Sequence, residues 1–440
     1  MKSNGNFAQP LLAAACMAAM IGAVLSISNP ALYRFIEDSG VNIPTADVLT
    51  DFTWGIVWAC LLLASIALWP VPWRHKKILG LAWVVKCVVA LGLMLPYEQR
   101  YYGLDCWHYF QRAHLGLAGI GADLWRGGAE VVCGVGALHL AIGPDSYHAM
   151  KLSFAFLGLA GLYLFYRAAE QLLGRPSLMV FWAITLYPSI LFWSSILGKD
   201  PVILLAIGVH VWGLVNLMQR GKHGYLVAVL GGIAGASAVR IWMGPILILP
   251  CLLLLGTRIK HLAWRIVAIA IICAALAVLG PATLSRFGLD QTADLVEASR
   301  TLATGWDRAN SSLAHDVEIN SLWDLILFTP QGLFSAYFRP LPGDVANLFG
   351  WLAGFENLGL LALSIWAALH FRFSLLKNSF FSWGLGLLIT WGLAYSVIAY
   401  RDLGSAVRFR LQILPILLGM IGHLLWAHPR FPRKRRAAVP

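Results

Sequence analysis

Asp105 and His108 stand three residues apart in the run Tyr101-Tyr102-Gly103-Leu104-Asp105-Cys106-Trp107-His108-Tyr109, so on a helix they share a face. A carboxylate half-buried among Tyr101, Tyr102, Trp107 and Tyr109 is placed to take a proton from an attacking hydroxyl. An interfacial aromatic belt with a solvated acid accounts for the same residue types. His315-Asp316 is a second acid/base pair, also readable as a solvated loop dyad.

A second group of residues suits an anion. Tyr187-Pro188-Ser189 to Lys199-Asp200-Pro201 reads as a tight turn leading into a helix, with Pro201 in its first turn and Asp200 as a cap. Lys199 then sits at a helix N-terminus, where backbone N–H groups and an ammonium together seat a phosphate. Arg240, Arg339 (in Phe338-Arg339-Pro340), Arg401, Arg408 and Arg410 add planar guanidinium forks that match phosphate oxygens two at a time. Near a membrane surface such a set fits an anionic lipid-linked ligand such as a polyprenyl phosphate or diphosphate. Pairing with nearby acids, as in Arg401–Asp402, is the competing explanation.

The elements that must position these residues are apolar helices. The 440-residue chain is 59% hydrophobic and only 12% charged, against roughly 25% charge in soluble domains. Runs near 20 apolar residues fall at 9–28, 52–72, 78–96, 150–168, 178–194, 201–219, 225–240, 243–257, 266–282, 350–370, 379–399 and 411–427. The sequence therefore predicts an all-α, polytopic integral membrane protein of about 12 transmembrane helices forming a single bundle over 1–440. The first run is read as an uncleaved span. With that topology 20 of the 21 acids lie on one side or at its edge, Glu170 being the exception. The other side carries basic clusters, Arg74-His75-Lys76-Lys77 and the tail Arg430 to Arg436 among them. Basic loops stay in the cytoplasm, so both termini are expected inside and the acids and second set of arginines outside. Two outward segments are large: 97–148, with an apolar stretch from Glu130 to Gly143 too short to cross and read as an interfacial helix, and 285–349.

The same topology explains much of the +12 net charge, which argues against nucleic acid as a partner. Seven cysteines include no CxxC pair. Cys106 and Cys133 lie in an outward segment where a disulfide is chemically allowed. No metal ligand set is named, and a divalent metal is left open. Lys86 and Glu356 are ionisable groups within expected spans, candidates for pairing with each other, and His210 reads as a satisfied interior histidine.

The order of these features resembles bacterial members of the GT-C superfamily, multi-span glycosyltransferases that use polyprenyl-phosphate-linked sugars. The residues that carry the resemblance are Gly103-Leu104-Asp105, Gly143-Pro144-Asp145, Gly161-Leu162-Tyr163-Leu164-Phe165-Tyr166-Arg167, Tyr187-Pro188-Ser189 with Phe192-Trp193-Ser194 and Lys199-Asp200, and Arg408-Phe409-Arg410-Leu411-Gln412 with Pro415. The resemblance implies a periplasmic site in the bacterial inner membrane, with Asp105 as catalytic base and Lys199, Arg408 and Arg410 holding the donor's phosphate. It also implies a polyprenyl-linked sugar donor and a saccharide or lipid acceptor, in assembly of a cell-surface polysaccharide. A repeat-unit polymerase, with His315 or an arginine in place of Asp105, is a variant. A transporter or flippase of an anionic lipid-linked solute is the alternative from another class; it predicts inverted repeats and polar groups at mid-bilayer.

Overall fold

In the computed structural model the described residues are 30–40, 43, 45, 47–100, 105–121, 127–251 and 321–426, with isolated positions between 254 and 277. All regular structure among them is helical. Among the described residues six helices are long and apolar enough to cross a membrane: Val48–Leu68, Trp73–Glu98, Tyr147–Leu173, Lys199–Arg220, Leu348–Leu369 and Ser379–Val397. A bent pair, Leu403–Arg410 and Leu414–Leu425 at 66°, makes seven if it is one span. The chain divides into two compact units, Met1–Ile241 and Trp242–Pro440.

The first unit contains α1 (Pro30–Gly40), α2 (Val48–Ser65), α3 (Trp73–Val88), α4 (Met94–Arg100), α5 (Asp105–Ala113), α6 (Gly116–Ile120), α7 (Gly128–Ile142), α8 (Tyr147–Leu173), α9 (Leu178–Thr185), α10 (Pro188–Trp193), α11 (Lys199–Arg220) and α12 (Tyr225–Val239). Local chemistry explains several ends. Asp47 accepts from the N–H groups of Leu49 and Thr50 to start α2, and Ser146 from Ala149 to start α8. Gly174 and Gly221, at φ +66° and +65°, close α8 and α11 in the left-handed conformation that glycine adopts freely. Between α3 and α4 the five residues Val89–Leu93 form a π-helical turn without ending the helix. The expected span at 178–194 is instead two short helices broken before Pro188, whose missing N–H and fixed φ suit the first turn of α10. The apolar stretch expected to lie at the interface is α7, a 15-residue helix.

α8 is the axis of this unit. It packs on α2, α3, α9 and α11. A Cβ added at Gly161 would lie 2.8 Å from the Leu205 nitrogen, and one at Gly208 2.7 Å from the Gly161 oxygen. The backbones of α8 and α11 therefore touch, a contact that small residues permit between apolar helices. At the end where α2, α8 and α11 begin, Phe52, Cys106, Tyr109, Phe110, Cys133, Tyr147, Phe154 and Leu197 form one buried cluster.

The second unit contains α13 (Met243–Ile248), α14 (Leu322–Phe338), α15 (Leu348–Leu369), α16 (Ser379–Arg401), α17 (Leu403–Arg410) and α18 (Leu414–Trp426). Ser321, Asn347, Asn378 and Asp402 cap the starts of α14, α15, α16 and α17. Trp391 stacks on Tyr395 at 4.5 Å and bonds Gln412 at 2.9 Å, tying α16 to the start of α18. The expected spans at 9–28 and, for the most part, 266–282 lie outside the described residues.

Candidate functional site

Asp105 opens α5 and His108 follows on the same side, both exposed. The buried set of this helix is Cys106, Tyr109, Phe110 and Ala113, the 3–4 spacing of an amphipathic face. Its consequence is that Asp105 is not half-buried among aromatics: Tyr109 points to the core, Asp105 away from it, and Tyr101 and Tyr102 lie outside the described residues. Cys106 and Cys133 are both free thiols, so the disulfide allowed by their location is not formed. Burial pushes the Cys106 thiol up to about 12, and its sulfur lies 3.2 Å from the Tyr147 hydroxyl oxygen.

α5 is tied to α7 by an ion pair, Arg112 to Glu130 at 3.0 Å. The start of α7 in turn meets the end of α12 so closely that a Cβ on Gly128 would lie 1.8 Å from the Val239 oxygen. The next residue after Val239 is Arg240, which is buried and 3.8 Å from Asp200 in the first turn of α11. Asp200 is thus not the cap of that helix, a place held by Gly198; its carboxylate is turned to a guanidinium from the neighbouring helix. Lys199 is half-buried beside it. Burial and then Glu130 push the Cys133 thiol of α7 up to about 11, against the opposing charges of Arg112 and Lys199. Two of the expected anion-binding residues thus share a neighbour in Asp200, which Lys199 precedes and Arg240 faces, and the residue before Arg240 meets the start of α7, the helix that carries the Arg112 link to Asp105 and His108.

A cluster not singled out from the sequence lies at the same end of the bundle. The Asp51 carboxylate, in the first turn of α2, accepts from the N–H groups of Tyr147 at 2.7 Å and His148 at 3.1 Å. It therefore acts as an anion at the N-terminus of α8. The Nδ1 of His148 bonds the same carboxylate. One turn further, Lys151 donates to Glu98 of α4 at 2.8 Å, and the Tyr147 hydroxyl donates to the other Glu98 oxygen at 2.8 Å. Lys151 and His148 are 0% exposed and Glu98 1%, in a unit read as membrane-spanning. The signal for it was the placing of Glu98 and Lys151 at the ends of two apolar runs, where a charge needs a partner.

Lys86, also fully buried, donates to the Ser194 carbonyl at 2.9 Å, its hydroxyl at 2.6 Å and the Ser195 hydroxyl at 2.9 Å. Its partners are thus the turn after α10, in place of the acid Glu356 expected from scarcity alone. His210 is buried with Nδ1 3.3 Å from the Val229 carbonyl, an interior histidine.

In the second unit Arg339 is held by Asp344 through two bonds of 2.8 and 2.7 Å, and this pairing holds the Asp344 carboxyl below the usual range. Arg410 is buried. It donates to the carbonyls of Ala336 at 3.1 Å and Arg339 at 2.6 Å and to the Asn357 side chain. Asn357 itself donates to the Pro340 carbonyl at 2.8 Å, across the cis Arg339-Pro340 bond. Arg410 and Arg339 are brought together, with the Arg410 guanidinium engaged by the main chain that carries Arg339. Arg408 is half-buried on α17. Arg401 ends α16, its side chain outside the described residues, and His315 lies outside them altogether.

Among the described residues no three His, Cys, Asp or Glu side chains are grouped to hold a metal ion. No family model, no curated protein and no solved structure matches the chain.

Proposed function

We propose that the chain is a membrane glycosyltransferase that moves a sugar or oligosaccharide from a polyprenyl phosphate or diphosphate donor to a hydroxyl acceptor, on the periplasmic face of a bacterial inner membrane. The reading keeps about 12 spans with both termini cytoplasmic, and places the reaction in assembly of a cell-surface polysaccharide. The observation that carries it is the pairing of Arg240 with Asp200, next to Lys199 in α11, at the point where the end of α12 meets the start of α7, which the Arg112–Glu130 pair joins to the helix bearing Asp105 and His108. Cations that face a leaving phosphate stabilise the charge that develops on it. The Asp105 carboxylate, exposed on the adjoining helix, is assigned to take the proton of an incoming hydroxyl. Asp105 is assigned the base, His108 its neighbour on the same face, and Lys199 and Arg240 the donor phosphate.

Purified protein supplied with a radiolabelled polyprenyl-linked sugar should release polyprenyl phosphate or diphosphate, and Asp105→Asn should remain folded and lose that release. Movement of the labelled lipid between leaflets with no bond cleaved would establish the transporter reading instead, which draws its support from the breaks at Leu186–Tyr187 and between α17 and α18.

A further inference from the structure

Lys151 and Lys86 of the first unit are both 0% exposed, and they are held differently. Lys151 has the Glu98 carboxylate at 2.8 Å. Lys86, near the middle of the Trp73–Glu98 span, has only uncharged oxygens: the Ser194 carbonyl and hydroxyl and the Ser195 hydroxyl. Among the described residues no element packed around it brings an acid. The end of α10 supplies the serines, and α8 closes on Ser194 from the other side, where a Cβ added at Gly158 would lie 2.3 Å from the Ser194 oxygen. Val89, Met94 and Ile196 form a buried apolar cluster one turn along. The titratable neighbour that feels the charge of Lys86 is the Cys87 thiol of its own helix.

Counting hydrogens decides the charge. The Ser195 hydroxyl gives its hydrogen to the Leu191 carbonyl at 2.7 Å, so toward Lys86 it only accepts. The Ser194 hydroxyl has no partner besides Lys86 among the described residues. As an ammonium, Lys86 donates three times. The hydrogen of the Ser194 hydroxyl is then buried with no acceptor, and the positive charge has no counter-charge, both costly within a span. As an amine, Lys86 sends its two hydrogens to the Ser194 carbonyl and the Ser195 hydroxyl, and the Ser194 hydroxyl donates into the nitrogen lone pair across the same 2.6 Å. Every polar hydrogen is placed and no charge is buried. We propose that Lys86 is a proton-accepting site held as the amine, and that taking up a proton from water releases the turn after α10 from α3. The proton goes to the nitrogen lone pair, and the Ser194 hydroxyl loses its acceptor. That turn runs directly into Lys199 at the start of α11, so the proton reaches the segment on which Lys199 stands.

The full-length protein is reconstituted in nanodiscs with nitrogen-15 at the lysine side chains. The Lys86 nitrogen is the signal lost in Lys86→Gln. It should carry two hydrogens at pH 8, and three hydrogens there overturn the proposal. Release is read by hydrogen exchange of the peptide spanning Ser194 to Gly198, corrected for the intrinsic rate. The open form binds the extra proton, so the closed turn loses ground as pH falls. The opening constant should rise roughly tenfold for each unit from pH 9 down to pH 7, the slope of one linked proton. In Lys86→Met it should be flat over that range. Lys86→Gln keeps two donors and does not titrate, and gives the same comparison where the Met variant does not fold. A flat wild type, or an equal slope in the folded variant, overturns the proposal. Neither readout depends on whether the protein transfers sugars.

Discussion

His148 bonds the carboxylate of Asp51 across 97 positions of sequence, while the same carboxylate takes the N–H groups of Tyr147 and His148. One acid therefore does two tasks: it satisfies the first turn of α8 and it fixes the ring of the histidine two residues into that helix. The pair joins α2 to α8, the helix around which the first unit is built.

Removing Asp51 should be costly because it takes the acceptor from three donors at once, two main-chain N–H groups and the His148 ring. Asp51→Ala is expected to destabilise the protein by about 3–5 kcal/mol, the cost of breaking a buried pair. His148→Ala should also destabilise, and the double variant should fall well short of the sum, since contacting residues couple. Denaturation midpoints of the three variants in detergent check this. Additive losses would show that the two side chains act separately.

Glu98 and Lys151 offer a sharper contrast. Glu98→Gln or Lys151→Met alone leaves an unpaired buried charge and should lower stability by about 3–5 kcal/mol. The double replacement removes both charges and should recover most of the loss, because no unpaired charge is then left buried. Melting temperatures of the wild type, two singles and the double decide the matter.

Lys199 and Arg240 should affect chemistry more than folding. With the proposed lipid-linked donor, Lys199→Gln and Arg240→Gln are each expected to lower turnover by about 100-fold, the lower end of what losing one preorganised donor costs. Arg240→Gln also takes the partner from buried Asp200, so its melting temperature should fall, whereas that of Lys199→Gln should hold. Unchanged turnover in Lys199→Gln would remove it from the phosphate site.

The Arg339–Asp344 pair gives a pH dependence. Pairing with Arg339 depresses the Asp344 carboxyl in the folded chain from an ordinary value of 3.8. The stabilisation is therefore fully present above that value and is lost as pH falls through the lower folded one. Below about pH 4 the stability difference between the wild type and Asp344→Asn should shrink, and it should be constant from pH 5 to 7. Thermal melts at stepped pH measure it. A difference that stays constant down to pH 3 would mean that Asp344 contributes through shape alone.

The helical class and six of the long spans were legible because a span is a run of apolar residues and nothing in its neighbours can disguise it. The broken helix before Pro188 was less so: hydropathy continues through Leu186 and Tyr187 although the helix does not. For the candidate site, Lys199 and Arg240 were readable as cations in places that topology left unexplained. Their convergence on Asp200 and α7 was not, since it depends on Gly128 letting two backbones meet. The side of α5 taken by Asp105 was hidden for a related reason: the aromatics around it in sequence do not say which of them will turn inward. The buried set Asp51, Glu98, Tyr147, His148 and Lys151 was missed because its members are far apart in the chain and each looks ordinary at the end of a span.

The π turn at Val89–Leu93 has a bearing on that last group. Successive residues of an α-helix advance by about 100° around its axis, and a π turn accommodates one residue more than regular winding would. Cutting one residue from Val89–Leu93 would therefore swing Glu98 roughly a quarter-revolution off Lys151 while leaving Lys86 aimed at Ser194. The small irregularity is what allows a single rod to address two partners whose bearings ordinary coiling could not reconcile.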